Sequence, residues 1–490
     1  STETYNRVAD VGAGNTNLTL EAISIGVPGV YEEKIVQGST ISVPIFLGAP
    51  IIRGSGALFT PLPNSDVSSV DLTDSTLKIT KQVSKVSSGT SLTVADTDIT
   101  DVSDIIFETF DQERYSLFKT SDGEPISITN DTFVHGSDEI VVNNVGGNNS
   151  KTLNVTLTKT KVKSKIKTYN RSQKLNVTRS KLSQSGSVSA GNGGAISDGL
   201  VFDARYGLRV QDEEISLNYP DVIKFLAVYE STNTSAPTLD KFVFTSTVDV
   251  SNNAVIGENI IGVNSKVVAR VVAKPSSNTL EIVYLSSGKF NAGDSVKFSE
   301  SNIKTEIESI QIGSYKNITN SFTLDKGQKD EYYDYSRLIR NKNVPAPSRQ
   351  LLIVFDYYSV PANDDGDVFT VSSYDQDRFS KDIPTIGSSN IRASDTFDFR
   401  PRVSVYDPST DTGSPFEFRN RNFSGNAVLR YLTPNESSVA SFEHYLPRID
   451  KVYLNKFGDF IYEKGIPSID PKPPIKVGEL MELASIGLPA

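Results

Sequence analysis

Two histidines supply all the imidazoles of this sequence, so acid–base chemistry has few candidates. His135 lies in the turn-like stretch FVHGSD, and His444 lies at the start of an expected strand. A Ser-His-Asp triad needs partners for one of them that no spacing in the sequence indicates. Cysteine is absent, which excludes thiolate catalysis, disulfides and Cys-ligated metals. No zincin motif or phosphate loop occurs. We therefore expect no enzyme and no cofactor.

An acidic turn is the remaining candidate for a metal site. The residues NDDGD run from Asn363 to Asp367, and Tyr374 to Asp377 add two more carboxylates nearby in the sequence. Carboxylate oxygens suit Ca²⁺, but neither stretch matches the twelve-residue calcium loop. We interpret the stretch 363–367 as a polar β-turn, and Ca²⁺ binding there stays open.

A basic segment follows the first expected domain. It runs from Lys159 to Lys181, reads KTKVKSKIKTYNRSQKLNVTRSK, and contains nine Lys or Arg and no acidic residue. The alternation around Lys161, Lys163 and Lys165 predicts a strand with most cations on one face. The favoured interpretation is a solvated edge strand guarded by lysines. Docking against an acidic surface of this chain or of a partner is the alternative, and nucleic acid is the least favoured because no series of aromatic residues is interleaved.

A second charged motif reads DTFDFRPR, from Asp395 to Arg402. Arg400 and Arg402 flank a proline, and Asp395 and Asp398 precede them, so bidentate Arg–carboxylate pairs are expected. We interpret the motif as a lock on a loop or domain joint within the chain. A lock between subunits is the alternative.

Composition indicates a mainly β protein made of serial small antiparallel β-sandwich and β-hairpin domains with few short helices. The 490 residues contain 37% hydrophobic and 22% charged residues, with 33 Gly and 23 Pro and abundant Val, Ile, Thr, Ser and Asn. Such a length predicts several domains. The net charge of −10 argues against a general nucleic-acid binder. No apolar run is long enough for a membrane span, so no membrane insertion is expected.

The turn signals divide the chain into seven parts. Alternation at Leu153, Val155 and Leu157 indicates a sandwich strand, and a run of Ser, Gly and Asn from Ser183 to Asp198 indicates a linker or mobile loop. We predict an N-terminal β region at 1–104, a small β-sandwich with the basic strand at 105–182, a flexible segment at 183–199, a β segment pairing with the C-terminal region at 200–245, a pseudo-repeat module at 246–315, a C-terminal β domain at 316–465 and a Pro-rich extended arm at 466–490.

An internal repeat defines the pseudo-repeat module. Gly257-Glu258 and the alternating residues up to Val271 align with Gly293-Asp294 and the residues up to Ile307, at an offset of 36 residues. Each copy reads as a Gly-acid turn, a strand and a second alternating strand.

A predicted hairpin is followed by a Pro-rich stretch between Val452 and Pro474. Strand formers flank a turn between Val452 and Tyr462, which predicts a rigid hairpin. Pro471, Pro473 and Pro474 lie in the following stretch, where missing N–H groups favour extended backbone. We predict that 466–474 is a stiff spacer that passes the chain to another domain or subunit. A linker packed back on its own domain is the alternative.

Several motifs together resemble a family of large virion structural proteins from contractile-tailed phages, notably those of marine cyanobacteria. The stretches that carry the resemblance are Tyr333–Arg340, Leu351–Tyr358, Asp398–Arg402, Ser414–Phe418, Tyr445–Asp450 and Pro467–Pro474. The similarity covers most of the chain after about residue 105. Members of that family continue past the segment that resembles Leu483 to Ala490, so we expect this chain to be an excerpt or a processed form.

The resemblance implies a non-enzymatic component of the tail, baseplate or fibre region, assembled in the host cytoplasm with other virion proteins and with copies of itself. A receptor- or glycan-binding tail fibre, which meets a host surface receptor, is the alternative, and a glycan-depolymerising tailspike is less favoured. The candidate assembly residues are Arg400, Arg402, Asp395, Asp398, Arg448, Asp450, Lys161, Lys163, Lys165, Pro471, Pro473 and Pro474.

Overall fold

Strand formers are abundant in the sequence, and the computed structural model confirms a mainly β protein, with 48% of the described residues in strands and 5% helical. The structure describes residues 5–11, 16–23, 32–35, 59–61, 67–100, 102–182, 199–245, 249–361, 366–375, 382–387, 391–418, 421, 423, 431–433, 436, 439–444, 446–468, 470–475 and 478–488. The predicted flexible stretch 183–198 and residues 363–365 of the acidic turn lie outside these ranges.

The strands, in chain order, are β1 Tyr5–Val11, β2 Thr16–Ile23, β3 Glu32–Ile35, β4 Phe59–Pro61, β5 Val67–Val86, β6 Ser91–Ala95, β7 Ile105–Phe107, β8 Ser116–Lys119, β9 Pro125–Ile126, β10 Phe133–His135, β11 Glu139–Asn143, β12 Ser150–Lys159, β13 Thr168–Val177, β14 Arg179–Ser180, β15 Val201–Phe202, β16 Glu214–Pro220, β17 Val222–Ser231, β18 Asp240–Phe244, β19 Asn259–Gly262, β20 Val268–Ser276, β21 Thr279–Tyr284, β22 Ser295–Phe298, β23 Lys304–Gln311, β24 Tyr315–Asn317, β25 Phe322–Asp325, β26 Tyr335–Arg340, β27 Leu351–Ser359, β28 Thr385–Ile386, β29 Ile391–Arg392, β30 Thr396–Asp398, β31 Tyr431–Leu432, β32 Val439–His444, β33 Arg448–Leu454, β34 Phe460–Glu463 and β35 Met481–Leu488. The described helical elements are α1 Val250–Asn253 and short 3₁₀ turns at Asp96–Asp98, Thr319–Ser321, Val371–Ser373 and Ala393–Asp395.

A β-sandwich is built around the long pairing of β5 with β12, which runs antiparallel over ten residues. The sheet β10-β11-β6 packs on it, and one apolar core joins the two sheets. Leu153, Val155 and Leu157 are fully buried on one face of β12, as their alternation predicts. Strands β31 and β32 return from the C-terminal part of the sequence and pair with β5.

Strand pairing divides the chain differently from the predicted boundaries at 104 and 182. The sandwich contains β5 and β6, which precede residue 105, together with β31 and β32. The basic strand β13 pairs with β27 and belongs to another sheet. Local turn signals locate strands, but they do not show which distant strand each one joins, and this is why the predicted segments 1–104 and 105–182 differ from the sheets.

The central sheet has the order β13-β27-β17-β24, and a second sheet, β16-β26-β25, packs beside it. Strands β16 and β17, from the segment 200–245, pair with β26 and β27 respectively. Alternate residues of β27 enter two different cores, with Leu351, Ile353 and Phe355 in one and Leu352 and Val354 in the other. Both faces of this strand are therefore covered, which explains its nearly continuous apolar sequence.

The pseudo-repeat strands form a closed six-stranded barrel in the order β18-β21-β20-β19-β22-β23. The barrel includes β18, Asp240–Phe244, which corrects the predicted module boundary at residue 246. The 36-residue offset recurs in the backbone: Gly257 N–H donates to Val271 C=O at 2.8 Å, and Gly293 N–H donates to Ile307 C=O at 2.7 Å. Both glycines have positive φ, +86° and +88°. Strands β19 and β22 pair antiparallel, with Ile261 as the central residue of β19 in this pairing. The two copies are therefore related by a pseudo-two-fold axis through the pairing of β19 with β22.

The C-terminal sheet has the order β34-β33-β35. The predicted hairpin is present, because β33 and β34 pair around a turn in which Gly458 has φ +91°. Strand β35 then returns and pairs antiparallel with β33, from Arg448 opposite Leu488 to Leu454 opposite Met481. This corrects the predicted extended arm at 466–490. The Pro-rich stretch with Pro471, Pro473 and Pro474 is a connection between two strands of one sheet.

Candidate functional site

Residues 160–167 connect β12 to β13, which corrects the predicted solvated edge strand across this stretch. Lys161 lies at the surface, where its Nζ is 3.0 Å from Asp104 Oδ1. Lys165 is buried, and its ammonium lies 5.6 Å from the centre of the Phe369 ring. The lysines therefore do not form one continuous cationic face.

Lys163 and the end of the acidic turn pair through the backbone. The Lys163 N–H donates to Asp367 Oδ2 at 2.9 Å, and its C=O accepts from the Asp367 N–H at 2.8 Å. The same carboxylate oxygen lies 3.5 Å from Lys159 Nζ, with both side chains 1% exposed. Within the described ranges, no group of three or more His, Cys, Asp or Glu lies close enough to hold a metal ion.

Lys167 ends this connection inside the protein, in a cage of aromatic rings. Its Nζ donates to Asp221 Oδ2 at 2.7 Å, to Tyr374 OH at 2.9 Å and to Tyr333 OH at 3.2 Å. The ring centres of Tyr333, Phe369 and Tyr374 lie within 4.4 to 4.7 Å of the ammonium. Burial lowers the pKa of Lys167, and the Asp221 carboxylate opposes this shift only in part.

A second buried ion pair is joined to the first through Tyr333. Arg400 donates to Asp398 through Nε at 2.9 Å and Nη2 at 2.8 Å, and both side chains are 0% exposed. The Tyr333 hydroxyl donates to Asp398 Oδ2 at 2.5 Å while accepting from Lys167. Burial opposes the charge on Arg400, but the Asp398 carboxylate outweighs it and raises the pKa of Arg400. We call this set the buried lock: Lys167, Asp221, Tyr333, Tyr374, Asp398 and Arg400.

Asp395 and Arg402 of the same motif have other contacts. Asp395 accepts from Arg392 Nε at 2.8 Å and Nη2 at 3.1 Å. Arg402 lies beside Tyr333 in a backbone bridge, and its Nη2 is 3.5 Å from the Val360 carbonyl oxygen. The motif therefore contains one complete and fully buried Arg–carboxylate pair, Asp398–Arg400, while Asp395 pairs with Arg392, which precedes the motif.

The buried lock joins distant parts of the chain. Lys167 precedes β13, Asp221 lies between β16 and β17, and Asp398 ends β30. The backbone reinforces the side chains, because Tyr333 N–H donates to Pro401 C=O at 2.9 Å. An intrachain joint, which the sequence favours for the Arg400 motif, is the role these contacts can perform.

The remaining basic residues of β13 contact the barrel. We call three ion pairs the docking pairs: Arg171–Glu300, Lys174–Glu281 at 3.0 Å and Arg270–Asp356 at 2.7 Å. The first two join β13 to acidic residues of the barrel, and the third joins β20 of the barrel to β27. The acidic surface that the sequence left open as an alternative is, for this part of the segment, a surface of the same chain.

Asp450 organises the C-terminal sheet. Its buried carboxylate accepts from Arg448 Nε at 3.2 Å, from the Gly465 N–H at 2.8 Å and from the Tyr462 hydroxyl. The hydrogen bond from Tyr462 lowers the pKa of Asp450. Arg448 and Asp450 thus fix the hairpin to the connection that follows it. Of the three candidate prolines, Pro473 is exposed and Pro471 and Pro474 are half-buried.

Sequence reasoning missed Lys167, Asp221 and Asp356 as individually important residues. Asp356 is fully buried in β27 and accepts from Ser172 N–H at 2.7 Å and Tyr169 OH at 2.8 Å, besides Arg270. A charged residue inside a nearly continuous apolar strand is a signal for such a buried pair. Lys167 carried no separate signal within its run of lysines.

The two histidines lie on different strands, His135 at the end of β10 and His444 at the end of β32, and a cleft lies beside β24. His135 Nε2 lies 2.8 Å from the Phe107 carbonyl oxygen, and His444 lies in β32 opposite Val67. The cleft, of about 920 Å³, is lined mainly by polar side chains and backbone, with Glu230, Tyr284 and Lys316 among its residues. Its Glu230 carboxylate already accepts from two backbone N–H groups, at 2.7 and 3.2 Å.

No protein-family model matches this sequence, and comparisons with curated proteins and with solved structures found no match. Among the residues that the structure describes, no helix is long and apolar enough to cross a membrane.

Proposed function

We propose that the chain is a non-enzymatic structural protein of the virion of a contractile-tailed phage, located in the tail, baseplate or fibre region. The observation that supports this proposal most is where the charged side chains of the chain make their contacts. The buried lock and the docking pairs join segments of the chain to one another instead of lining an accessible site.

The architecture suits a part that is assembled. The described chain contains separate β units, namely a sandwich, a central sheet pair, a barrel and a C-terminal sheet. Ion pairs join the barrel to the central sheet. Buried ion pairs restrict a joint to one geometry because any other geometry leaves a charge without its partner. The virion setting rests on the resemblance of the motifs from Tyr333 to Pro474 to phage tail proteins. Partners are then other virion proteins and further copies of this chain.

The test uses particles of a phage that encodes the chain. Peptide mass spectrometry of density-purified virions should detect it at several copies per particle, and a particle map should place the barrel and the sandwich in the tail region. Detection only in the infected lysate, with none in purified particles, would contradict the proposal. Particles that contain the chain but lose host adsorption when a surface loop is changed would favour the receptor-binding alternative.

A further inference from the structure

The contact between Lys167 and Asp221 has the features of a covalent cross-link site. We propose that the two side chains condense into an amide bond that joins the start of β13 to the start of β17. Lys167 Nζ lies 2.7 Å from Asp221 Oδ2, and their side chains are 0% and 1% exposed. The amine nitrogen is therefore held beside the carboxyl carbon in a dry interior.

The surroundings of Lys167 favour the uncharged form of its amine. The rings of Tyr333, Phe369 and Tyr374 surround the amine, and the Tyr358 ring centre lies at 5.8 Å. A buried ammonium–carboxylate pair loses its hydration, so transfer of one proton to give an amine and a carboxylic acid becomes accessible. Burial also lowers the pKa of Lys167, which increases the fraction of free amine.

The neighbouring groups match the needs of the condensation. The neutral Nζ attacks Cγ of Asp221, and negative charge develops on Oδ1, to which Gln328 Nε2 donates at 2.8 Å. Oδ2 leaves as water with two of the three ammonium protons, and the third stays on the amide nitrogen. Tyr333 OH contacts Nζ at 3.2 Å and Asp398 Oδ2 at 2.5 Å, which provides a path for proton movement. No oxidant, reductant or co-reactant is needed.

Preorganisation of the two side chains accelerates the condensation. Holding two reacting groups in place is equivalent to concentrations of about 10⁵ M or more. A second buried Lys–Asp pair among the described residues lacks these features: Lys159 and Asp367 are 3.5 Å apart, and Lys159 Nζ also donates to the Ser103 carbonyl at 3.0 Å. It serves as an internal control that should not react.

The test is the mass of the purified full chain after denaturation. The cross-linked chain should be lighter than its sequence by one water molecule. Trypsin should then release one branched peptide in which residues 166–171 are joined to residues 210–224, because the amide blocks cleavage after Lys167. The peptides that contain Lys159 and Asp367 should remain linear.

Three variants test whether the cross-link joins Lys167 to Asp221. Lys167→Arg and Asp221→Ala should have the full mass of their sequences. Asp221→Asn should lose ammonia and give the same product mass as the wild type, since both routes end in the same amide. A folded wild-type chain with its full sequence mass would overturn the proposal and leave the contact as an ion pair. Water loss that maps to linear peptides, as succinimide formation at Asp122-Gly123 would produce, overturns it equally.

Discussion

The buried lock and the docking pair Lys174–Glu281 use the same kinds of residue, but they differ in exposure. In the lock, Lys167, Asp221, Asp398 and Arg400 have side chains at most 1% exposed. In the docking pairs, Lys174 is 42% exposed and its partner is 17% exposed. Water screens the second kind of pair, so its loss costs little, whereas a buried charge that loses its partner is strongly destabilising. Among the docking pairs, Arg270–Asp356 is the exception, because Arg270 is 12% exposed and Asp356 is 0% exposed. The barrel therefore contacts the central sheet through a buried carboxylate as well as through solvent-exposed ion pairs.

Removing one charge from the lock should have the largest effect. Asp398→Asn leaves the Arg400 guanidinium buried without a counter-charge, and we expect the free energy of unfolding to fall by about 3–5 kcal/mol. The matched control is Asp395→Asn, whose partner Arg392 is 41% exposed and which should cost less than about 1 kcal/mol. Urea unfolding curves measure both. Equal losses in the two variants would show that burial does not separate these pairs.

The two copies of the barrel repeat offer a matched pair of glycines. Both have positive φ, so alanine is strained at either position, by about 1–2 kcal/mol. At Gly257 the new Cβ would also lie 2.3 Å from Arg171 Cβ, whereas at Gly293 no atom lies within 4 Å. Gly257→Ala should therefore destabilise the chain by about 1–3 kcal/mol more than Gly293→Ala.

Thermal unfolding of the two glycine variants, with proteolysis to test release of the barrel, measures this difference. If the variants lose equal stability, the contact between Gly257 and Arg171 does not define how the barrel docks.

Alkaline pH should weaken the lock more than the docking pairs. Burial raises the pKa of Tyr374 well above its ordinary value of 10.0, and burial raises the pKa of Tyr333 in the same way. The unfolded chain therefore releases these protons first. The stability that these groups contribute is complete below pH 10 and falls above it, by up to about 1.4 kcal/mol per pH unit for each tyrosine.

Tyr374→Phe is the control for this pH dependence. Urea midpoints at about pH 9 and about pH 11 should fall less steeply for the variant than for the wild type. An identical pH dependence in both proteins would exclude Tyr374 as a contributor.

The smallest effect is expected at a docking pair. A double-mutant cycle of Lys174→Ala and Glu281→Ala should give a coupling energy below about 1 kcal/mol. Because both groups are reached by solvent, the coupling should disappear at about 1 M salt, where the screening length is about 3 Å. A coupling that persists at high salt would place this pair with the lock instead.

Local features of the fold could be predicted from the sequence. The hairpin between Val452 and Tyr462 follows from a turn with Asn first and Gly last, and the barrel repeat follows from two Gly-acid turns at a constant offset. Each signal depends on neighbouring residues alone. The alternation at Leu153 to Leu157 is equally local and equally visible.

The lock could not be predicted in full because its partners are distant along the chain. Lys167 and Asp221 are 54 residues apart, and Lys167 and Tyr333 are 166 apart. Only the Asp398–Arg400 pair, two residues apart, was within reach of sequence reasoning. The Pro-rich stretch shows the same limit. Proline excludes ladder pairing at its own position, but it does not predict whether a strand such as β35 follows.

The return of β31 and β32 to β5 has a consequence for the order of folding. Lys78 and Glu436 are 358 residues apart, so the sandwich sheet cannot be completed until most of the chain has left the ribosome. During synthesis, the barrel and the central sheet can form while an edge of β5 stays open. An open strand edge invites pairing with other chains. The nascent protein should therefore depend on chaperones, and truncation before residue 431 should yield aggregates even though the central units are complete.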